Sequence, residues 1–254
     1  MWYEHRAMPT KLGVILSDER GLQAARAADS VDFVVLRSTL LNPPRQAAAR
    51  RLASKIQELH PRAEVIPYAW HLVTHGPDDG LRALGTRALP GEPLRFGRLQ
   101  ETPEVQAAWD TTLACAEALG TQKIVLRTPA GLTPGPVGMK RLRAFFHAQR
   151  ERGIELIWEA EGLWEDRELS ALAREYGVVN LVSTFDLTGR LLRRSFENCW
   201  LRVDSAGATE RLGPLAEELA LELDEGEAPT TVLFAGHRNY ANLRALSAVL
   251  PARD

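Results

Sequence analysis

Eight short runs rich in Val, Ile and Leu punctuate the chain from end to end: Leu12–Leu16, Asp32–Leu36, Glu64–Tyr68, Lys123–Leu126, Glu155–Glu159, Val179–Ser183, Trp200–Val203 and Thr231–Phe234. They read as continuous apolar stretches rather than alternating ones, which is the pattern of parallel strands covered on both faces. Longer segments between them carry apolar residues at helical spacing: Leu52, Ile56 and Leu59; Val105, Ala108, Trp109, Leu113 and Ala116; Leu142, Phe145 and Phe146; Leu212, Leu215 and Leu219; Leu243, Leu246 and Leu250. Gly120, Gly153 and Gly177 fall between helix and following strand, where a left-handed residue ends a helix. Parallel strands need a right-handed crossover at every step. Eight such units in roughly 250 residues have the size of a TIM barrel, whereas open doubly wound sheets more often have about five or six strands. The expectation is therefore an α/β chain with a single (β/α)8 TIM-type barrel over residues 11–254, preceded by an N-terminal extension, 1–10. Asp186 to Asn198 is too short and basic to assign. Pro67 costs strand three a ladder hydrogen bond unless it stands at the strand's end.

At 45% hydrophobic and 25% charged residues, the 254-residue chain has the composition of a soluble globular protein, without a linker or repeat that would divide it. No apolar run approaches the roughly 20 residues that span a bilayer, so no membrane partner is expected. The opening Met1-Trp-Tyr-Glu-His-Arg6 lacks a signal-peptide layout, which points to the cytoplasm. A net charge of −2 gives no general attraction to nucleic acid, although nearly all of the 31 basic residues are arginines. The basic cluster Arg190 to Arg194 reads as a solvated face. Cys115 and Cys199 are too few for a disulfide framework or a structural zinc site and read as buried thiols. No sequence feature speaks to oligomeric state.

A TIM barrel presents its site at the carboxyl ends of its strands. The residues falling there are polar: Ser17 and Asp18; Arg37, Ser38 and Thr39; Trp70, His71, Thr74 and His75; Arg127 and Thr128; Glu159 and Glu161; Ser183 and Asp186; Arg202 and Asp204; His237, Arg238 and Asn239. Strand alternation aims Glu159 and Glu161 to the same side. They could share acid and base roles, hold a divalent metal, or pair with Arg37, Arg127 and Arg202. His71 and His75 bracket Leu-Val-Thr, but Pro67 upstream and Gly76-Pro77 downstream predict a loop there, where the spacing is weak evidence for a metal. No nucleophile elbow or Ser-x-x-Lys occurs. Neither Gly131 to Gly138 nor Asp204 to Glu210 matches a phosphate-loop or dinucleotide pattern, so no residue is assigned to a cofactor. Gly76 to Pro103, rich in glycine and proline, is long enough to be a lid or binding loop.

Taken in order, these residues resemble the YecE-like family, a group of TIM barrels of unassigned function. Ser38-Thr-Leu-Leu-Asn-Pro-Pro44 is similar to the family's Ser-Thr-Phe-Tyr-x-Pro-Pro, Ala69-Trp-His-Leu-Val-Thr-His75 to its Lys-Ala-Trp-x-x-Ile-Thr-His, and Val125-Leu-Arg-Thr-Pro-Ala130 to its Phe-Gln-Thr-Pro-Ala. Trp158-Glu-Ala-Glu-Gly-Leu-Trp164, Leu201-Arg-Val-Asp204 and Leu233 to Asn242 resemble its later motifs, so the likeness covers nearly the whole chain. Retained are Thr39, Trp70, Thr74, His75, Thr128, Pro129, Glu159, Trp164, Arg202 and Asn242. The family's other polar positions fall at Val35, Arg37, Tyr68, Arg127, Glu161, Ser183, Asp204, Ala235 and Gly236.

The resemblance implies a barrel that binds or transforms a small polar or anionic compound, sugar-like or phosphate-like, at its C-terminal face. In that reading Glu159, His75 and Arg202 are the catalytic candidates, and Thr39, Trp70, Thr74, Arg127, Glu161, Trp164, Asp204 and His237 contact the substrate. The lost polar residues leave a non-catalytic barrel serving as a binding module equally open. A metal-dependent hydrolase or isomerase, similar to xylose-isomerase or endonuclease-IV barrels, would use His71, His75, Glu159 and Asp204 as ligands, with Glu161.

Overall fold

Eight parallel strands joined only by crossovers leave two edges with unpaired backbone, and a barrel is the arrangement in which those edges meet. In the computed structural model the strands are β1 (Lys11–Leu16), β2 (Phe33–Leu36), β3 (Glu64–Pro67), β4 (Lys123–Thr128), β5 (Glu155–Ala160), β6 (Val179–Ser183), β7 (Cys199–Ser205) and β8 (Thr231–Gly236). The structure describes residues 10–26, 29–87, 89–185, 191, 199–205, 212–213, 215–224 and 230–251. The strands run in the order β3-β2-β1-β8-β7-β6-β5-β4, all parallel. Edges β3 and β4 close through a bridge between Tyr68 and Val125, where the Ala69 amide donates to the Val125 carbonyl at 2.8 Å. Pro67 explains the short seam. Successive amides along a strand face opposite neighbours; Tyr68 donates toward β2 and Ala69 toward β4. The N–H that Pro67 lacks is therefore one that would have faced β4. Proline stands at the strand's end, where its cost is smallest.

Alternate strand residues enter two surroundings. Leu12, Val14, Val34, Leu36, Val203 and Phe234 pack outward in a cluster with α1 (Gln46–Leu59), α6 (Leu215–Asp224) and α7 (Asn239–Ser247). Ile124, Leu126, Leu156 and Trp158 do so with α3 (Pro103–Leu119), α4 (Pro136–Glu151) and α5 (Asp166–Tyr176). The intervening positions, Ile15, Phe33, Val35, Ile66, Val125, Ile157, Leu181 and Leu233, fill the barrel interior as a separate cluster. Each fully buried aliphatic side chain contributes about 1.5–3 kcal/mol, so a strand apolar on both faces stabilises both layers. Phe33 and Trp200 pack together inside, their rings tilted by 33° with centroids 4.6 Å apart. The room they need is left by Gly13, where a Cβ would lie 2.6 Å from Leu233 Cδ2 and from the Phe33 carbonyl oxygen. Gly13→Ala is expected to lose about 1–3 kcal/mol by overpacking, read as a lower urea midpoint; an unchanged midpoint would show that the interior has slack.

Some local expectations are corrected. The segment after β1 is a 3-10 stretch, Glu19–Ala24, and among the described residues there no longer helix forms. Helix α5 was signalled by its stop at Gly177 but not by its stripe of Leu169, Leu172 and Ala173, because much of the helix is polar. Residues His71–Thr74, expected as loop, make one helical turn, α2. The strap from 76 to 102 makes this possible: the amides of Gly97, Arg98 and Leu99 donate to the carbonyls of Leu72, Thr74 and Val73 at 2.7–3.0 Å, satisfying groups that a short helix leaves open. Gly97 has φ +76°, and a Cβ there would run into the His75 carbonyl. Residues 1–9, most of the segment from Asp186 to Asn198 including the basic cluster at 190–194, and 206–210 lie outside the described residues.

Candidate functional site at the barrel mouth

Carrying the inward alternation one step beyond Ile66, Val125, Ile157, Leu181 and Trp200 brings Tyr68, Arg127, Glu159, Ser183 and Arg202 to the top of the barrel interior. The apolar core thus ends in a charged layer. Glu159 is 3% exposed, and a carboxylate so buried is tolerated only when paired and hydrogen-bonded. Tyr68 Oη donates to its Oε2 at 2.7 Å, Arg202 Nη1 donates to its Oε1, and Arg127 Nε stands 3.9 Å from the same oxygen. Arg202 Nε also donates to Asp204 Oδ2 at 2.7 Å, and Arg127 Nε to Glu161 Oε1 at 2.7 Å. The result is a chain of alternating charge, Asp204, Arg202, Glu159, Arg127, Glu161, supplied by β4, by β5 and the residue after it, and by β7. Burial, then the Glu159 charge and hydrogen bond, push the Tyr68 pKa well above its usual 10, so Tyr68 stays a neutral donor. Burial disfavours the Arg202 charge, but Glu159 and Asp204 outweigh it and raise its pKa.

Both strand-five glutamates also face a cavity of about 250 Å³, lined by Arg37, Arg127, Glu159, Glu161, Ser183 and Arg202 on the mouth side and by Trp158, Trp164, Asn180 and Leu169 behind. A divergence of two strands opens it. β5 and β6 pair only at Ile157 with Val179 and Trp158 with Asn180. On either side pairing continues, from β4 to β5 as far as Thr128 with Ala160, and from β6 to β7 as far as Ser183 with Arg202. The cavity passes through this split, from the charged layer to the space under α5. Arg37, first residue of a 3-10 turn after β2, lines it as well. Its charge is felt by Tyr68, yet its guanidinium forms no hydrogen bond or ion pair among the described residues.

The other candidates from the sequence are placed elsewhere. The Thr39 hydroxyl lies 2.8 Å from the Leu36 and Tyr68 carbonyls, Trp70 Nε1 donates to the Leu41 carbonyl at 3.1 Å, and His71 Nδ1 lies 2.9 Å from the Leu40 carbonyl. Thr74 Oγ1 and His75 Nδ1 are 2.8 Å apart. His75 is 4% exposed and does not line the cavity; burial first, and Arg127 second, lower its pKa to about 4, so it is neutral at pH 7. His237 borders a different, open cleft with Ser17, Asp18 and Asn239 at the ends of β1 and β8. His71, His75, Glu159 and Asp204 are not gathered: among the described residues no three His, Cys, Asp or Glu side chains group as metal ligands. Tyr68 and Asn180 are not among the strand-end candidates from the sequence, and Arg37 stands there only as an ion-pair partner for Glu159 and Glu161. The available signals were the step from inward Ile66 to Tyr68 and a lone polar residue inside the β6 run.

No family model matches the sequence, and no curated protein matches it. The fold does have relatives among solved structures. A DUF72 family protein from Enterococcus faecalis superposes with a TM-score of 0.59 at 9% identity, covering 95% of this chain and 98% of that one. A xylose isomerase domain containing protein from Salmonella typhimurium gives 0.55 at 15% identity over 95% and 98%. D-psicose 3-epimerase, in a structure with D-fructose, gives 0.54 at 13% identity over 93% and 90%. At these identities the likeness concerns the fold, a single (β/α)8 barrel. Among the described residues no helix is long and apolar enough to cross a membrane.

Proposed function

We propose that the mouth between β5 and β6 binds a small anionic compound of sugar-like or phosphate-like type, with Arg37 as its principal contact. The observation that carries this reading is the Arg37 guanidinium, without a hydrogen bond or ion pair among the described residues, in a cavity whose other arginines, Arg127 and Arg202, are already matched by Glu161, Glu159 and Asp204. An arginine in that position offers a planar fork of donors suited to phosphate or carboxylate oxygens. The matched pairs contribute a rigid frame. Binding is favoured over proton transfer because Glu159 is held by Tyr68 and Arg202, and His75 lies outside the cavity lining. The retained Trp164 forms part of the wall. D-psicose 3-epimerase shares the fold, so a hydroxylated ligand suits the architecture, while the anion preference comes from this chain's own Arg37. Membership of the YecE-like family belongs to the same proposal and rests on the ordered motifs from Ser38 to Asn242.

Calorimetric titration with inorganic phosphate and a panel of sugar phosphates tests the reading. Replacing Arg37 by Ala is expected to weaken binding by about tenfold or more, since charged hydrogen bonds contribute roughly 1.5–3 kcal/mol and 1.4 kcal/mol is about a factor of ten. Equal affinity of wild type and Arg37→Ala for every anion would overturn it.

A further inference from the structure

We infer that the rear lobe of the mouth cavity, between β5, β6 and α5, is a hydroxyl-recognition subsite in which Asn180 selects a polyol chain carried by the anion. This deepens the reading of the mouth as an anion site and rests on it. Asn180 is the one polar side chain within the run Val179–Leu181, and it is 5% exposed. A buried carboxamide ordinarily makes several hydrogen bonds. Here Oδ1 has no partner, and among the described residues the side chain makes no hydrogen bond. Such a group costs the folded chain stability without returning any through internal contacts. It stands at the point where β5 and β6 stop pairing, and it lines the cavity. The Trp164 Nε1 donor on the same lining is also buried and without a hydrogen-bond partner, although its ring packs edge-on against Trp158 at 5.0 Å. Buried indole N–H groups usually find an acceptor.

An unused acceptor, an unused indole donor and the Trp164 ring in one lobe define a ligand chemistry. A hydroxyl both donates and accepts, so it suits the pair, and a carbon-bound chain of hydroxyls has apolar faces for the half-buried Trp164 ring. Asn side chains turn easily about χ2, which lets either amide atom meet the ligand. The cavity volume of about 250 Å³ is about that of eight liquid waters, the scale of a small sugar. With Arg37 on the mouth side, the assigned class is a polyol or sugar anion rather than a bare anion or an apolar acid.

The experiment compares sorbitol 6-phosphate with hexyl phosphate, its chain length without the hydroxyls, and adds inorganic phosphate and neutral xylitol. Wild type, Asn180→Leu and Arg37→Ala are titrated, and melting temperatures are recorded. Wild type is expected to prefer sorbitol 6-phosphate over hexyl phosphate by about fivefold, the scale of one or two neutral hydrogen bonds. Asn180→Leu should abolish that preference and leave inorganic phosphate binding unchanged, whereas Arg37→Ala should weaken all three anions alike. Because Asn180 gives up no internal bond, Asn180→Leu should also raise the melting temperature by about 2–4 °C. Equal binding of the two esters by wild type would overturn the subsite and leave the anion reading standing. Xylitol binding that Asn180→Leu destroys, with no anion bound, would keep the subsite and overturn the anion reading. A fall in melting temperature for Asn180→Leu would show a structural role for the carboxamide and overturn the inference.

Discussion

Lowering the pH from 7 to 4 is expected to remove about 3 kcal/mol of stability through His75 alone. In the folded protein the ring is buried, with Arg127, His71, Thr74 and Asp79 around it, and its pKa is lowered from 6.5 to about 4, by burial first and Arg127 second. The unfolded chain takes up the proton at about pH 6.5, the ordinary histidine value. Between pH 6.5 and pH 4 the unfolded state therefore binds more protons than the native state, and stability falls by about 1.4 kcal/mol for each pH unit. The contribution is present above pH 6.5 and lost as pH falls toward 4. His60, whose pKa burial also lowers, acts in the same direction. Urea unfolding at pH 7.5, 6 and 5 measures the slope, and His75→Gln should flatten it by about one proton. An identical slope in wild type and His75→Gln would mean that His75 titrates normally.

Removing Arg202 is expected to destabilise the barrel by about 3–5 kcal/mol, because the Glu159 carboxyl group, 3% exposed, would lose its close ion-pair partner and keep Tyr68 as donor, with Arg127 no nearer than 3.9 Å. The variant to make is Arg202→Met, which keeps the stem volume. Glu159→Gln should cost less: Gln retains an acceptor for Tyr68, and Arg202 keeps Asp204 at 2.7 Å. Replacing both residues, as Arg202→Met with Glu159→Leu, should recover much of the loss, since buried ion pairs exchanged for apolar residues are often close to neutral. Chemical denaturation of wild type, Arg202→Met, Glu159→Leu and the double variant closes the cycle. Additive losses, with no recovery in the double variant, would show that the two side chains do not interact in solution.

The barrel was legible because its strands are apolar on both faces, so runs such as Leu12–Leu16 and Thr231–Phe234 stand out at any register. Polar helices were less legible. α5 buries only Leu172 and Ala173 fully, too little to mark a stripe beside its many charges. The α2 turn depends on amides donated by residues 97–99, more than twenty positions downstream, and no local pattern encodes that.

The candidate site divides in the same way. Which charges reach the mouth follows from the sequence alone, by counting inward steps from Ile157 to Glu159, Val125 to Arg127 and Trp200 to Arg202. Which of them cancel is a matter of distances of a few ångströms between separate strands, where pairing decides the state of a buried charge. Only the closed barrel sets those distances. It places Arg202 against Glu159 and Arg127 against Glu161 while leaving Arg37 without an ion pair among the described residues, and the early end of β5–β6 pairing opens the space beside them.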